Sequence, residues 1–134
     1  MKYLLFILLF CFGFNTIKAQ DNVDEALAYQ YFQQAEYEKA ATLLEKLFNR
    51  SKNDGYFDLY FTSLLKIKKY GEAENLVKKL IKQYPQKLNY QVALGRIYQE
   101  NGKAAEANKI YYTAIQNAPK NEFQYRELAN SFYR

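Results

Sequence analysis

The chain has 134 residues with 14 Tyr, 10 Phe, no His, no Trp and a single cysteine, Cys11. Beyond residue 19 there is neither His nor Cys, which excludes Ser-His-Asp and Cys-His nucleophiles, His-ligated zinc, haem ligation and disulfide staples, so no catalytic residue, metal or cofactor is expected. The formal charge of +5 falls to +3 without Lys2 and Lys18, too small an excess to argue for nucleic acid as a partner.

Residues 1–19 read MKYLLFILLFCFGFNTIKA, with a basic start at Lys2, an apolar run from Tyr3 to Phe14 and a small residue, Ala19, before Gln20. That order predicts a secretory signal peptide, and the run is too short for a membrane span of about 20 residues. Phe10 stands before Cys11 where a lipidation signal carries a small residue, so lipid attachment is not expected. Export would put the protein in the cell envelope of a Gram-negative bacterium, periplasmic, outer-membrane-associated or secreted. A mature chain without cysteine has nothing there to oxidise.

From residue 20 onward the apolar residues recur at helical spacing and nowhere alternate as in a strand. Seven helices are predicted, near 22–34, 37–50, 55–67, 70–84, 88–101, 104–118 and 121–133. Three of them repeat one another. Ala40, Leu43, Leu44, Leu47 and Phe48 align with Ala73, Leu76, Val77, Leu80 and Ile81, and these with Ala107, Ile110, Tyr111, Ala114 and Ile115, at offsets of 33 and 34 residues. Spacings of three and four put each set on one helix face. The helices before them also repeat, as Leu27, Ala28 and Tyr31; Tyr60, Phe61 and Leu64; Leu94, Gly95 and Tyr98; and Leu128, Ala129 and Phe132. Gly55, Pro85 and Pro119 punctuate between units, and Gly102 punctuates within one. The domain plan is a leader at 1–19 and one repeat domain at 20–134, with repeats near 21–53, 54–87 and 88–121 and a partial fourth at 122–134.

On these residues the chain resembles the tetratricopeptide repeat proteins. The third unit matches best, with Gln91, Leu94, Gly95, Tyr98, Gly102, Ala107, Tyr111, Ala114 and Pro119 spaced as in that family's pattern. Phe61 departs from it, taking a place where the family favours a small residue. The resemblance implies an all-α fold: a right-handed superhelix, or solenoid, of antiparallel helix pairs, here three repeats and one extra helix. It also implies a concave groove lined by the first helix of each pair. Carried over residue by residue, the groove would present Glu25, Tyr29, Asp58, Thr62, Asn89, Arg96, Gln99 and Arg126, with Gln33, Leu65, Val92 and Phe123 beside them. Arg96, Arg126, Tyr29 and Asp58 are the leading candidates for contact with a partner. The Lys, Asn and Arg clamp of chaperone-binding members is missing, since Glu25, Tyr29, Leu59, Asn89 and Ala93 stand at its places.

Rival chemistry is thin. Ser63, Leu64, Leu65 and Lys66 spell S-x-x-K, but the strings that accompany it in serine acyl-transferring enzymes are absent. The carboxylate pairs Asp24 with Glu25, Glu36 with Glu38 and Glu72 with Glu74 stand at helix starts, where acids favour the helix dipole. Lysines concentrate between Lys66 and Lys82 and read as a solvated face. The expected function is therefore a non-catalytic scaffold for a protein or peptide, with peripheral association with the envelope. The alternative is the N-terminal repeat segment of a longer envelope sensor or assembly protein. A different class, a cell-wall or glycan-acting enzyme, would have to use Ser63 with Lys66 or a carboxylate pair. The last helix carries Phe123, Tyr125, Leu128, Phe132 and Tyr133, an apolar set that invites self-association.

Overall fold

The computed structural model describes residues 22–118 and 122–132, so the expected leader and Pro119 lie outside the described residues. Seven α-helices and no strand occur among the described residues. They are α1 (22–33), α2 (Tyr37–Ser51), α3 (Asp54–Lys66), α4 (Tyr70–Gln83), α5 (Leu88–Glu100), α6 (Ala104–Gln116) and α7 (Glu122–Phe132). The all-α architecture of helix pairs agrees with the periodicity, and each predicted helix is found within a few residues of its expected bounds. The chain divides into two compact units, Met1–Ser63 and Leu64–Arg134, with the boundary inside α3.

The repeat is written in the backbone as well as in the side chains. The turn inside each pair has one residue in the left-handed conformation, Ala35 (φ 60°), Lys68 (φ 58°) and Gly102 (φ 75°), at the same offsets of 33 and 34 residues. Around each the same two bonds close the helix end. Glu36, Lys69 and Lys103 donate their N–H to the carbonyls of Tyr31, Leu64 and Tyr98, at 2.9, 2.9 and 2.8 Å. Ala35, Lys68 and Gly102 donate to Phe32, Leu65 and Gln99, at 3.1, 3.0 and 3.1 Å. This is the Schellman closure, which satisfies carbonyls that a helix end would otherwise leave unpaired. It sets the direction in which the second helix of each pair departs, and Glu36, Lys69 and Lys103 accept from Ala40, Ala73 and Ala107 as that helix begins.

Those three alanines are the buried centre of the repeat, each essentially without solvent exposure. A small residue there lets two helix backbones approach closely. In the first unit Leu44, Leu47 and Phe48 extend the same stripe, and Phe48 meets Phe57 with ring centroids 5.8 Å apart. Phe61 is buried too, stacked on Phe57 at 5.6 Å. In the second unit α5 packs against α4, α6 and α7, and Leu88, Val92, Ala118 and Leu128 form one apolar cluster with Tyr111 against it.

Two expectations need correction. Ile115, aligned with the buried Phe48 and read as core, is 51 % exposed. Tyr31, Tyr37, Tyr70, Tyr98 and Tyr111, whose spacings are those the repeat uses for packing and so predict core positions, are half-buried. Three of them bury the ring flank and send the hydroxyl outward. Tyr70 donates to the Glu100 carbonyl at 3.2 Å, Tyr98 to Glu74 at 2.9 Å and Tyr111 to Gln99 at 2.8 Å. The phenol's polar end seeks a partner while its body packs.

The turn geometry makes a direct prediction, because a left-handed residue with a Cβ costs roughly 1–2 kcal/mol that glycine avoids. Lys68→Gly should stabilise the protein by about 1 kcal/mol and Gly102→Ala should destabilise it by a similar amount, read as opposite shifts of the urea midpoint. Shifts of the same sign would contradict the shared turn.

Candidate functional site

The eight residues that the family resemblance places in the groove all retain solvent exposure, although they sit on helices whose other faces build the core. In the first unit Glu25 and Tyr29 lie on α1 and Asp58 and Thr62 on α3. Tyr56 joins them, donating its hydroxyl to the Glu25 carboxylate. Burial, then that bond and the nearby charge, push the Tyr56 phenol above its ordinary value. Asp58 also has an interaction partner. This unit therefore presents an acidic and phenolic surface.

In the second unit Asn89, Arg96 and Gln99 lie on α5 and Arg126 on α7. Arg96 and Gln99 share a cavity of about 190 Å³, which Val92, Glu100, Tyr111 and Phe132 complete. Three helices build it. Positions 92, 96, 99 and 100 recur at three and four residues along α5, so they line one side of that helix. α6 supplies Tyr111 and α7 supplies Phe132, whose rings meet edge to face with centroids 5.4 Å apart. Gly95 lets this happen: a Cβ there would lie 2.6 and 2.8 Å from Cδ1 and Cζ of Tyr111, so the ring rests directly on the α5 backbone. With the ring fixed, the Tyr111 hydroxyl reaches the Gln99 Oε1. Burial raises the Tyr111 phenol, against the opposing pull of the Arg96 charge. The cavity thus combines a guanidinium, a carboxylate, an amide and a phenol with the apolar Val92 and Phe132. That mixture takes a side chain by hydrogen bonding at one end and area at the other.

The resemblance implies Arg96, Gln99 and Val92 but not Glu100, Tyr111 or Phe132. Tyr111 had been assigned wholly to packing, and the signal that points to it is the glycine at 95, which leaves room for a ring. Asn89 and Arg126 do not line the cavity, and Glu25, Tyr29, Asp58 and Thr62 belong to the other unit.

Several residues of the rival chemistries are otherwise engaged. Ser63 is fully buried and donates its hydroxyl to the Leu59 carbonyl at 2.8 Å, while Lys66 is exposed. Glu36 pairs with Lys39, Glu72 with Lys69 at 3.2 Å and Glu74 with Lys78 at 2.6 Å. Hydrogen bonds from Lys78 and then Tyr98 hold the Glu74 carboxyl below the ordinary range, so it stays ionised. Among the described residues no group of three or more His, Cys, Asp or Glu is placed to hold a metal ion. Likewise, no helix among them is long and apolar enough to cross a membrane.

Residues 14–80, half of the chain, match the family model described as Anaphase-promoting complex, cyclosome, subunit 3, a repeat family of tetratricopeptide type. The chain belongs to this family. The match starts inside the stretch expected to be a leader, crosses the first repeat and ends in α4. No curated protein matches the sequence. Repeats of this type are scaffolds for protein–protein interaction.

Proposed function

We propose that this member of the repeat family is a non-catalytic scaffold holding a peptide or protein segment along the first helices of its repeats, with the cavity beside Arg96 taking one side chain of that segment. The observation that carries the reading is the cavity itself. It is a concave site on the helix face that the family resemblance assigns to binding, with convergent polar groups beside the apolar Val92 and Phe132. Its volume has room for several waters, which a side chain would displace. The reading as non-catalytic is supported by the burial of Ser63 and by the pairing of Glu36, Glu72 and Glu74 with lysines.

The same reading keeps residues 1–19 as a leader and 20–134 as the repeat domain, working in the cell envelope, periplasmic, outer-membrane-associated or secreted. The support is the order of basic start, apolar run and small residue before Gln20. Intact mass of the exported protein should correspond to a chain beginning at Gln20, and a chain that stays in the cytoplasm with residues 1–19 attached would remove the envelope from the account.

Peptides selected from a random displayed library on the purified chain test the binding surface. Arg96→Glu combined with Gln99→Ala should weaken the selected peptides at least tenfold, about 1.4 kcal/mol or more, with helicity unchanged. Full retention of affinity in that variant would exclude the cavity as the binding site.

A further inference from the structure

The lining of the cavity beside Arg96 decides which kind of side chain it takes. Its charged members are one cation, Arg96, and one anion, Glu100, so its formal charge is zero. The two are spaced by four on α5 and share a face of that helix. After burial, which raises the Tyr111 phenol most, the Arg96 charge pulls that phenol down and the Glu100 charge pushes it up, so both charges bear on the same hydroxyl. Arg96 already has an interaction partner within the protein, and it is not a bare cation awaiting a carboxylate.

Hydrogen-bonding capacity is balanced in the same way. The Tyr111 hydroxyl gives its one hydrogen to the Gln99 Oε1, at 2.8 Å. That bond orients the amide: the Gln99 Nε2 keeps its two hydrogens for an acceptor, and the phenol oxygen keeps lone pairs for a donor. The cavity therefore offers donors on Arg96 and Gln99 and acceptors on Glu100 and Tyr111. Val92 and Phe132 lie beside them to take a short apolar stem.

Candidate side chains separate on this inventory. A carboxylate only accepts; it would meet the two donors but stand against Glu100 and leave the phenol oxygen without a donor. An ammonium only donates, and it would stand against Arg96. An apolar side chain would strand all four polar groups, each losing its hydration with no bond in return. A hydroxyl carries donor and acceptor on one atom, too compact to serve groups a helical turn apart. A primary amide carries its carbonyl and its NH2 on separate atoms at the end of a short stem, and it has no charge for either ion to repel.

Building on the peptide-binding reading above, we infer that the cavity selects a primary amide, an Asn or Gln side chain of the bound segment. Arg96 and Gln99 donate to its carbonyl, and Glu100 and Tyr111 accept from its NH2.

The peptides selected from the displayed library provide the test. Alanine scanning of each against the wild-type chain and against Arg96→Glu with Gln99→Ala finds the anchor, the position whose truncation matters only in the wild type. The anchor should be Asn or Gln, and changing it to Glu or to Lys should each weaken binding about tenfold or more. Two charge-altered variants should then show gains that misfolding cannot mimic. Glu100→Gln should bind the Glu-anchored peptide about tenfold more tightly than the wild type does, and Arg96→Gln should do the same for the Lys-anchored peptide. Peptides indifferent to Arg96→Glu with Gln99→Ala would remove the binding reading and this inference together. Peptides that lose affinity in that variant but carry any anchor other than an amide would overturn this inference alone, as would the absence of both gains.

Discussion

The structure depends on one position used three times: a fully buried methyl group in the first turn of each repeat's second helix. Ala40, Ala73 and Ala107 occupy that position, all essentially fully buried and all entered from the same left-handed turn. A pair of short helices has too little apolar surface to balance the conformational entropy of ordering it, so it gains stability by sharing flanks with its neighbours. The alanines set the distance within a pair. The turn residues Ala35, Lys68 and Gly102 set the direction. Larger residues at Leu44, Val77 and Leu80 then fill the space that those two constraints leave.

The fold was largely legible because this logic is written at a fixed period. Apolar residues at three and four, repeated at offsets of 33 and 34, identify seven helices and pair them without reference to any coordinate. What the period hides is whatever depends on a residue's neighbours rather than its own place. Ile115 carries the same pattern as Phe48, but its exposure follows from which side chain lies over it. The left-handed turns at Ala35 and Lys68 gave no local sign, since neither is glycine, and only the register with Gly102 links them. Tertiary closure outweighs the local preference at both positions.

The candidate site was legible in part for the same reason. Arg96 and Gln99 follow from position along α5. The contribution of Tyr111 required knowing that Gly95 leaves its ring on the backbone, and that of Phe132 required knowing where α7 lies against α6. Tyrosines recur in this role. Tyr56, Tyr98 and Tyr111 each pack part of the ring and direct the hydroxyl to a carboxylate or amide; burial raises the Tyr56 and Tyr111 phenols, and the bond to Glu74 raises that of Tyr98. The abundance of tyrosine in the composition thus serves both packing and the polar surface, which a division into core and surface residues does not capture.

The most direct measurement of the shared-seam account compares two alanines on one helix. Ala107 is buried at the repeat's centre, whereas Ala105, two residues earlier, is exposed. Denaturant unfolding of Ala107→Leu should show a loss of about 1–3 kcal/mol from overpacking, and Ala105→Leu should change stability by less than about 0.5 kcal/mol. Equal effects at the two sites, or a more stable Ala107→Leu, would contradict the claim that close approach across a small side chain holds the repeats together.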